Sequence, residues 1–368
     1  MKMQRPSGPP TPDAAKSLLE DFSNYHRGSP AHRVVAPSNA EEARAAIADA
    51  FRHGTPIRFR GAGHSMNGSS LPAEGDLLFT TENLRRYVFD EENSVRVGAG
   101  VLMWDLHTML KTHGFDLLVC NDGGAPAPTV GGYIAAGGIG ENTSLFGGFW
   151  ESVLEITFVT GTGEIVTCHP SDEIFQWLFG AMGQLGFVVE AKLQIFAPEL
   201  LQGLPQKAVY PMGVSGVVHG SVAAWDRYSW FTLFVPYKDS DRAMNQLGEL
   251  CVKYQHCWRP LSNYVYPVRF GAFNPPLIYP IQKGFVAEGI WGSPLDGLHF
   301  DFDAMRALEA DFMQLSMTEP GYRRYIQTEL LLDKTDYRRY FGEEVFSKFA
   351  ELKRKYDPAM LMGRGQVF

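Results

Sequence analysis

Three stretches of the chain combine glycine with small polar side chains at spacings that can do chemistry. The first, Arg60-Gly61-Ala62-Gly63-His64-Ser65-Met66-Asn67-Gly68, follows a strand-like run. Its glycines free the backbone to turn, so that successive N–H groups can converge on a phosphate. No Gly-Lys-Ser/Thr follows, which excludes a Walker A loop. The glycine spacing and the lack of a following helical pattern exclude a Rossmann fingerprint. From this loop alone, a glycine turn with a hydrogen-bonded histidine is an equal account. The second stretch is Pro128-Thr129-Val130-Gly131-Gly132-Tyr133-Ile134-Ala135-Ala136-Gly137-Gly138-Ile139-Gly140, whose bare backbone suits a large flat ligand. Tight helix packing would explain small residues at helical spacing, but not easily Gly137-Gly138 followed by Gly140. The third, Gly180-Ala181-Met182-Gly183-Gln184-Leu185-Gly186, is weak alone. Together the three imply one extended cofactor with a pyrophosphate.

Other chemistry-bearing residues read as structural. Cys251, His256 and Cys257 have metal-ligand chemistry but no fourth partner. Arg323-Arg324 and Arg338-Arg339 read as solvated surface pairs rather than an anion site. Four cysteines without a CxxC pair do not make a disulfide scaffold.

The elements that must position these loops follow from periodicity. Val34-Val35 begins a short strand. Ser38-Asn39-Ala40-Glu41 reads as a capping box, with Ser38 and Glu41 as the reciprocal partners. Ala43, Ala46, Ile47, Ala50 and Phe51 then mark an amphipathic helix that Gly54 closes. Pro56 to Phe59, Leu77–Thr80 and Ser94–Val97 read as strands, and Met103 to His113 as a helix closed by Gly114. Glu155–Thr160 and Glu164–Cys168 flank Gly161-Thr162-Gly163 as a hairpin. Phe187 to Ile195 alternates as a half-buried strand, and Glu343 to Lys355 is helical up to Asp357-Pro358. The order is α+β with hairpins, without the rhythm of a doubly wound sheet.

Composition narrows the field further. With 368 residues, 45% hydrophobic and 20% charged, the chain can bury a sizeable core of about two domains. Its 33 basic and 41 acidic residues give a net charge of −8, which argues against nucleic acid or an anionic membrane as partner. Pro6, Pro9, Pro10 and Pro12 make the first 17 residues an irregular arm, and no apolar run there resembles a signal or membrane span. The expectation is a cytoplasmic protein. Glycines crowd at 61–68, 98–100, 123–140 and 161–186, whereas aromatic residues crowd between 205 and 300. The boundary falls near Pro198–Pro205.

The strings RFRGAGHS, VGAGV, PTVGGYIAAGGIG, VTGTGEIVTC and GAMGQLGFVVEAKLQI, in that order, resemble the vanillyl-alcohol oxidase/p-cresol methylhydroxylase flavoproteins from about Val34 to Pro198. The ending KRKYDPAMLMGRGQVF is similar to the last segment of cytokinin dehydrogenases within that superfamily. The resemblance implies an α+β chain with a PCMH-type two-subdomain FAD-binding domain and a smaller α+β substrate cap built on an antiparallel sheet. The divisions expected are an N-terminal arm 1–28, an FAD domain 29–199, a cap 200–325, and a segment 326–368 returning to the FAD domain. His64 would be joined covalently to the flavin 8α carbon. The backbone of Gly61, Ala62, Gly63, His64 and Ser65 would hold the pyrophosphate, and Arg60 and Gly68 would also contact the cofactor. Thr129, Val130, Gly131, Gly132, Gly137, Gly138 and Gly140 would line the dinucleotide, and Gly186 and Val188 its adenosine or ribityl part. Gln366 would hydrogen-bond the flavin or substrate. Ala127 stands where some relatives carry a second, cysteinyl link, so a single attachment is expected.

The resemblance also implies candidates for the base. Asp122 precedes Thr129 as an aspartate precedes this run in cytokinin dehydrogenases, with two extra residues between. Asn121-Asp122-Gly123-Gly124 reads first as a turn. Tyr325, Glu329 and Asp333 lie on a segment expected to approach the flavin from the cap. The implied reaction moves hydride from a CH–OH or CH–NH carbon of a small substrate to flavin N5, with dioxygen reoxidising the flavin. The small Gly138 would admit oxygen. The aromatic cap favours a flat, hydrophobic substrate, such as a secondary metabolite, over a free sugar. Two alternatives remain: a noncovalent NAD(P)H-dependent flavin reductase, against which His64 argues, and a flavin-binding protein catalysing a non-redox step.

Overall fold

The computed structural model describes residues 18–23, 25–90, 93–120, 127–201, 229–269, 271–272, 275–278, 284–295, 301–325 and 334–364. Thirteen strands among them, β1–β13, form three sheets. A small parallel sheet takes β1 (Arg33–Val35), β3 (Leu77–Thr80) and β2 (Ile57–Arg60), in the order β1-β3-β2. The second sheet is antiparallel and runs β4 (Tyr87–Asp90), β5 (Ser94–Gly98), β9 (Phe187–Phe196), β7 (Val153–Val159) and β8 (Ile165–Cys168). The two-residue β6 (Asp116–Leu117) pairs with β9. The third sheet, also antiparallel, orders β11 (Trp258–Val268), β12 (Phe285–Pro294), β10 (Ser229–Pro236) and β13 (Arg323–Arg324). The mixture of helix and antiparallel sheet is the α+β class expected.

Local signals mostly act as read. The helix Ala40–His53 buries Ala43, Ile47 and Ala50 and ends at Gly54, whose φ of 62° is left-handed. Its start lies one residue later than the sequence suggests. Asn39 is the cap, its side chain accepting from the Glu42 N–H at 2.9 Å. Glu42 reaches back to the Ser38 N–H at 2.9 Å, whereas Glu41 pairs with Arg44 instead. Asn39, extended at φ −159°, caps as well as serine does and lies nearer the helix. Strand β4 carried no clear pattern because it is an edge strand: Tyr87 and Val88 are exposed, so no burial enforces alternation.

The third sheet has two unlike faces. On β10, Phe231, Leu233 and Val235 point into a core shared with the helices Ser240–Lys253 and Phe302–Thr318, in contact with Leu247, Leu308 and Phe312. Alternate residues on the same strand face the first two sheets, where Phe234 joins the larger core. Arg324 corrects the solvated-surface reading. It is buried against the rings of Phe231 and Phe312, with its guanidinium paired to Glu309. Two flanking rings and one carboxylate replace the water that its charge gives up.

The chain then returns to the first sheet. The Ile57 N–H donates to the Leu361 carbonyl at 2.8 Å and the Gly363 N–H to the Ile57 carbonyl at 3.0 Å, adding a strand-like edge beside β2. Lys353, on the helix Glu343–Tyr356, secures this return. Its buried ammonium donates to the Gln184 carbonyl (2.7 Å), the Met362 carbonyl (2.6 Å) and Asp357 (2.7 Å). Among the described residues no helix is long and apolar enough to cross a membrane.

Two predictions follow from these buried charges. Lys353→Met should cost about 3–5 kcal/mol in denaturant unfolding, because the Asp357 carboxylate would stay buried without its cation. The second concerns Glu288 on β12, fully buried in the third sheet. Its Oε1 accepts from Ser240, and among the described residues its Oε2 has no partner. Burial pushes its carboxyl up to about 7; the Ser240 hydroxyl opposes this and Asp241 adds to it. The folded state therefore keeps a proton that the unfolded chain has released, and stability falls as pH rises from 4.5 to about 7. Glu288→Gln should flatten this fall in melting temperature measured from about pH 5 to about pH 8.

Candidate active site

One cleft, enclosing about 1210 Å³ of unfilled space including its mouth, lies where the three sheets meet. Strand β2 ends at its edge and delivers Arg60 and the glycine loop. Gly63, at φ 80°, takes a turn that no side chain tolerates well, and the Arg60 guanidinium fills the space its Cβ would need. Arg60 Nη2 donates to the Glu20 carbonyl at 2.8 Å. Burial lowers the Arg60 pKa, and Asp21 and Glu20 oppose the shift. Ser65 Oγ and Ser70 Oγ lie 2.6 Å apart. Among the described residues, the N–H groups of Gly61, Ala62 and Gly63 donate to no protein acceptor. Such a row of free donors at a cleft is what a pyrophosphate requires.

The opposite wall is the helix Val130–Ala136. Thr129 caps it, Oγ1 accepting from the Gly132 N–H at 3.1 Å, and also packs against Gly61. A Cβ on Gly132 would meet only that oxygen within 4 Å, so the space beyond it belongs to the cleft. Gly131 is small for another reason: its Cα side presses on Ala99, to whose carbonyl it donates at 2.9 Å. Gly131, Gly132, Ala135 and Ala136 together leave this wall nearly bare.

Of the residues expected to touch the cofactor, Arg60, Gly61, Ala62, Gly63, His64, Ser65, Thr129, Gly131, Gly132, Gly186 and Val188 line the cleft. Gly68, Val130, Gly137, Gly138 and Gly140 do not. Val130 is fully buried in the core. Gly68 turns at φ 69° and donates to Asp21 at 3.0 Å. Gly137 ends the helix at φ 66°. Gly138 leaves room for the Tyr133 ring, and the Gly140 carbonyl accepts from Thr143 Oγ1 at 3.0 Å. Local packing therefore explains the very glycines that looked hardest to explain that way, and the oxygen-access argument from Gly138 loses its footing. Asp122, Glu329 and Gln366 lie outside the described residues.

The third sheet closes the cleft with Trp230 on β10, Tyr264 and Tyr266 on β11, and Tyr325 just beyond β13. Trp230 Nε1 donates to Tyr264 Oη at 2.5 Å, and Thr232 Oγ1 shares a hydrogen bond with the same oxygen. Burial pushes all three phenols up: Tyr264 and Tyr325 well above the ordinary range, and Tyr266 with help from Glu141. Tyr325 Oη donates to the Gly137 carbonyl at 3.1 Å. These phenols stay protonated, and Tyr325 directs its proton to the Gly137 carbonyl, so it does not have the state of a base. No carboxylate among the described residues lines the cleft.

Sequence reasoning missed Trp230, Tyr264, Tyr266, Ser70 and Met182 as cleft residues. A signal existed for the aromatics: Trp230-x-Thr232-x-Phe234 and Tyr264-x-Tyr266 place them on one strand face.

Residues 31–169 match the FAD binding domain family. Over 264 residues the chain is 27% identical to cytokinin dehydrogenase 2 of Arabidopsis thaliana, covering 70% of this chain and 48% of that protein. It is 28% identical over 221 residues to L-gulonolactone oxidase of Bos taurus, 57% and 48% of the two chains. With D-lactate dehydrogenase of Archaeoglobus fulgidus it shares 30% over 171 residues, 44% and 38% respectively. The aligned part thus spans less than half the length of these relatives. Taken with the glycine-walled cleft, these matches make residues 31–169 similar to the FAD binding domains of oxidoreductases.

The bare wall makes its own prediction. Gly132→Val should lower the FAD retained on purification at least about tenfold, by filling space that only a ligand would otherwise occupy. Compared as flavin-free protein, its melting temperature should not fall, since valine suits a helix better than glycine does. Visible absorbance against protein concentration checks the first, and a thermal scan the second.

Proposed function

We propose that this chain is an FAD-dependent oxidase with the cofactor joined to His64. It would take hydride from a CH–OH or CH–NH carbon of a small, flat substrate and return the electrons to dioxygen. One observation carries the reading. A single cleft runs from the free donors of Gly61, Ala62 and Gly63, past His64 and the bare Gly131-Gly132 wall, to the aromatic cap. Bound FAD would supply a hydride acceptor at N5.

The chain's own residues supply the rest. The loop N–H groups would hold the pyrophosphate, and Arg60 would offset its charge. The Ala135, Ala136 and Gly132 backbone would admit a planar ring system, and the same bareness favours oxygen access over a blocked, dehydrogenase-type wall. Trp230 and Tyr266 would press a flat substrate toward that ring and exclude water, while Tyr264 orients it by a hydrogen bond. The proton acceptor is proposed to be Asp122 or Glu329. His64 in the cleft favours this over a noncovalent NAD(P)H-dependent reductase. The cap is proposed to span 200–325, with 326–368 returning to the FAD domain.

The test is mass spectrometry of acid-denatured protein with mapping of the peptide that carries His64. Wild type should carry one flavin on that peptide, and His64→Ala should release all its FAD into the acid supernatant. Oxygen uptake on adding a substrate would then separate oxidase from dehydrogenase, which would reduce a dye but consume little oxygen. Acid-soluble FAD in the wild type would overturn the covalent link.

A further inference from the structure

Residues 19–28, Asn24 apart, were expected to be no more than an N-terminal arm. They instead form a closed strap laid over the cofactor loop. Glu20 and Arg27 pair across it, and the Gly28 N–H donates to the Leu19 carbonyl at 2.9 Å. Four contacts fasten it to the loop. The Phe22 N–H donates to the Ser65 carbonyl at 3.0 Å, the Gly68 N–H to Asp21 Oδ2 at 3.0 Å, and Arg60 Nη2 to the Glu20 carbonyl at 2.8 Å. The Phe22 ring lies against the His64 imidazole, centroids 4.9 Å apart and planes tilted by 33°. Asp21 is itself fixed: it is buried, and its Oδ1 accepts from Ser23 N at 3.1 Å and Ser23 Oγ at 2.6 Å. At its far end Tyr25 Oη meets Ser229 Oγ at 2.9 Å, on the first residue of β10 and next to Trp230 in the cap wall.

A loop with three glycines in eight residues has little stiffness of its own. The strap removes that freedom at both ends of the loop and at its histidine. We infer that Phe22 is a positioning residue for His64, setting the imidazole for attachment to the flavin, and that the strap keeps the cofactor loop and the cap in register. This rests on the flavin site proposed above. In the attachment, an imidazole nitrogen bonds to the 8α carbon; that nitrogen and the methyl group lose two protons between them. The electron pair passes to the flavin ring, and dioxygen takes it up to leave as hydrogen peroxide. A ring misplaced by an ångström would slow that bond's formation while leaving FAD able to bind.

The experiment compares wild type, Phe22→Ala and Phe22→Tyr as purified full chains. It reads total flavin, acid-insoluble flavin and melting temperature. Phe22→Ala should keep its total flavin but show an acid-insoluble fraction lower by about threefold or more, the scale of one lost aromatic contact. Phe22→Tyr, which restores the ring face, should recover it. An unchanged fraction in Phe22→Ala would overturn the inference. So would a loss of total flavin and melting temperature in parallel with no rescue by tyrosine, which would mark a merely structural role. If wild-type flavin is wholly acid-soluble, the covalent reading fails by itself. The strap is then judged by FAD release on dilution: about tenfold faster release from Phe22→Ala supports it, and equal release overturns it.

Discussion

A buried ammonium sits where three distant parts of this chain must meet. Lys353 bonds to a carbonyl of the third glycine loop, to a carbonyl of the returning C-terminal segment, and to Asp357. Asp357 in turn accepts from the N–H groups of Leu361 and Met362, at 3.1 and 2.8 Å. Its Cα side closes on Gly161, whose N–H donates to the Tyr356 carbonyl at 2.7 Å, so the β7–β8 hairpin turn joins the same node. Burial lowers the Lys353 pKa, and Asp357 holds it back up. The carbonyls and the carboxylate together replace the water that a lone ammonium could not give up. Because the returning segment borders β2, and β2 ends at Arg60, the position of the whole glycine loop depends on this node.

The glycines divide into two kinds that composition cannot separate. Gly132 is bare toward the cleft, whereas Gly131, Gly137 and Gly138 are bare toward Ala99, Ile278 and Tyr133. The first kind makes room for a ligand; the second lets the helix Val130–Ala136 lie close enough to its neighbours to form a wall at all. A dense run of glycine thus serves packing and binding on opposite sides of one short helix.

The third sheet shows the same division between its two faces. Alternation on β10 sends Phe231, Leu233 and Val235 to its helices and Trp230 and Thr232 toward the cleft. Gly289, opposite Tyr264 in the ladder, leaves that ring free to lie across β12 and reach Trp230 and Thr232. The aromatic wall is therefore held by hydrogen bonds at its rim and by backbone underneath. It presents faces and protonated hydroxyls to the cleft, not charge.

The helix over 40–53, the hairpin at Gly161-Thr162-Gly163, the strand after Gly186 and the three glycine loops were all legible in the residues. Turn chemistry, capping and amphipathic period act within a few positions of the chain, and the three glycine loops together pointed to one extended cofactor with a pyrophosphate. What the residues left open depends on partners far away in sequence. Arg324 looks solvated until Phe231 and Phe312 enclose it. Residues 19–28 look like an arm until Phe22 meets His64. Gly138 looks like a ligand contact until the Tyr133 ring fills its place. A glycine's freedom to turn is local and can be read from sequence, but the side on which it leaves space empty is settled only by what packs against the other side.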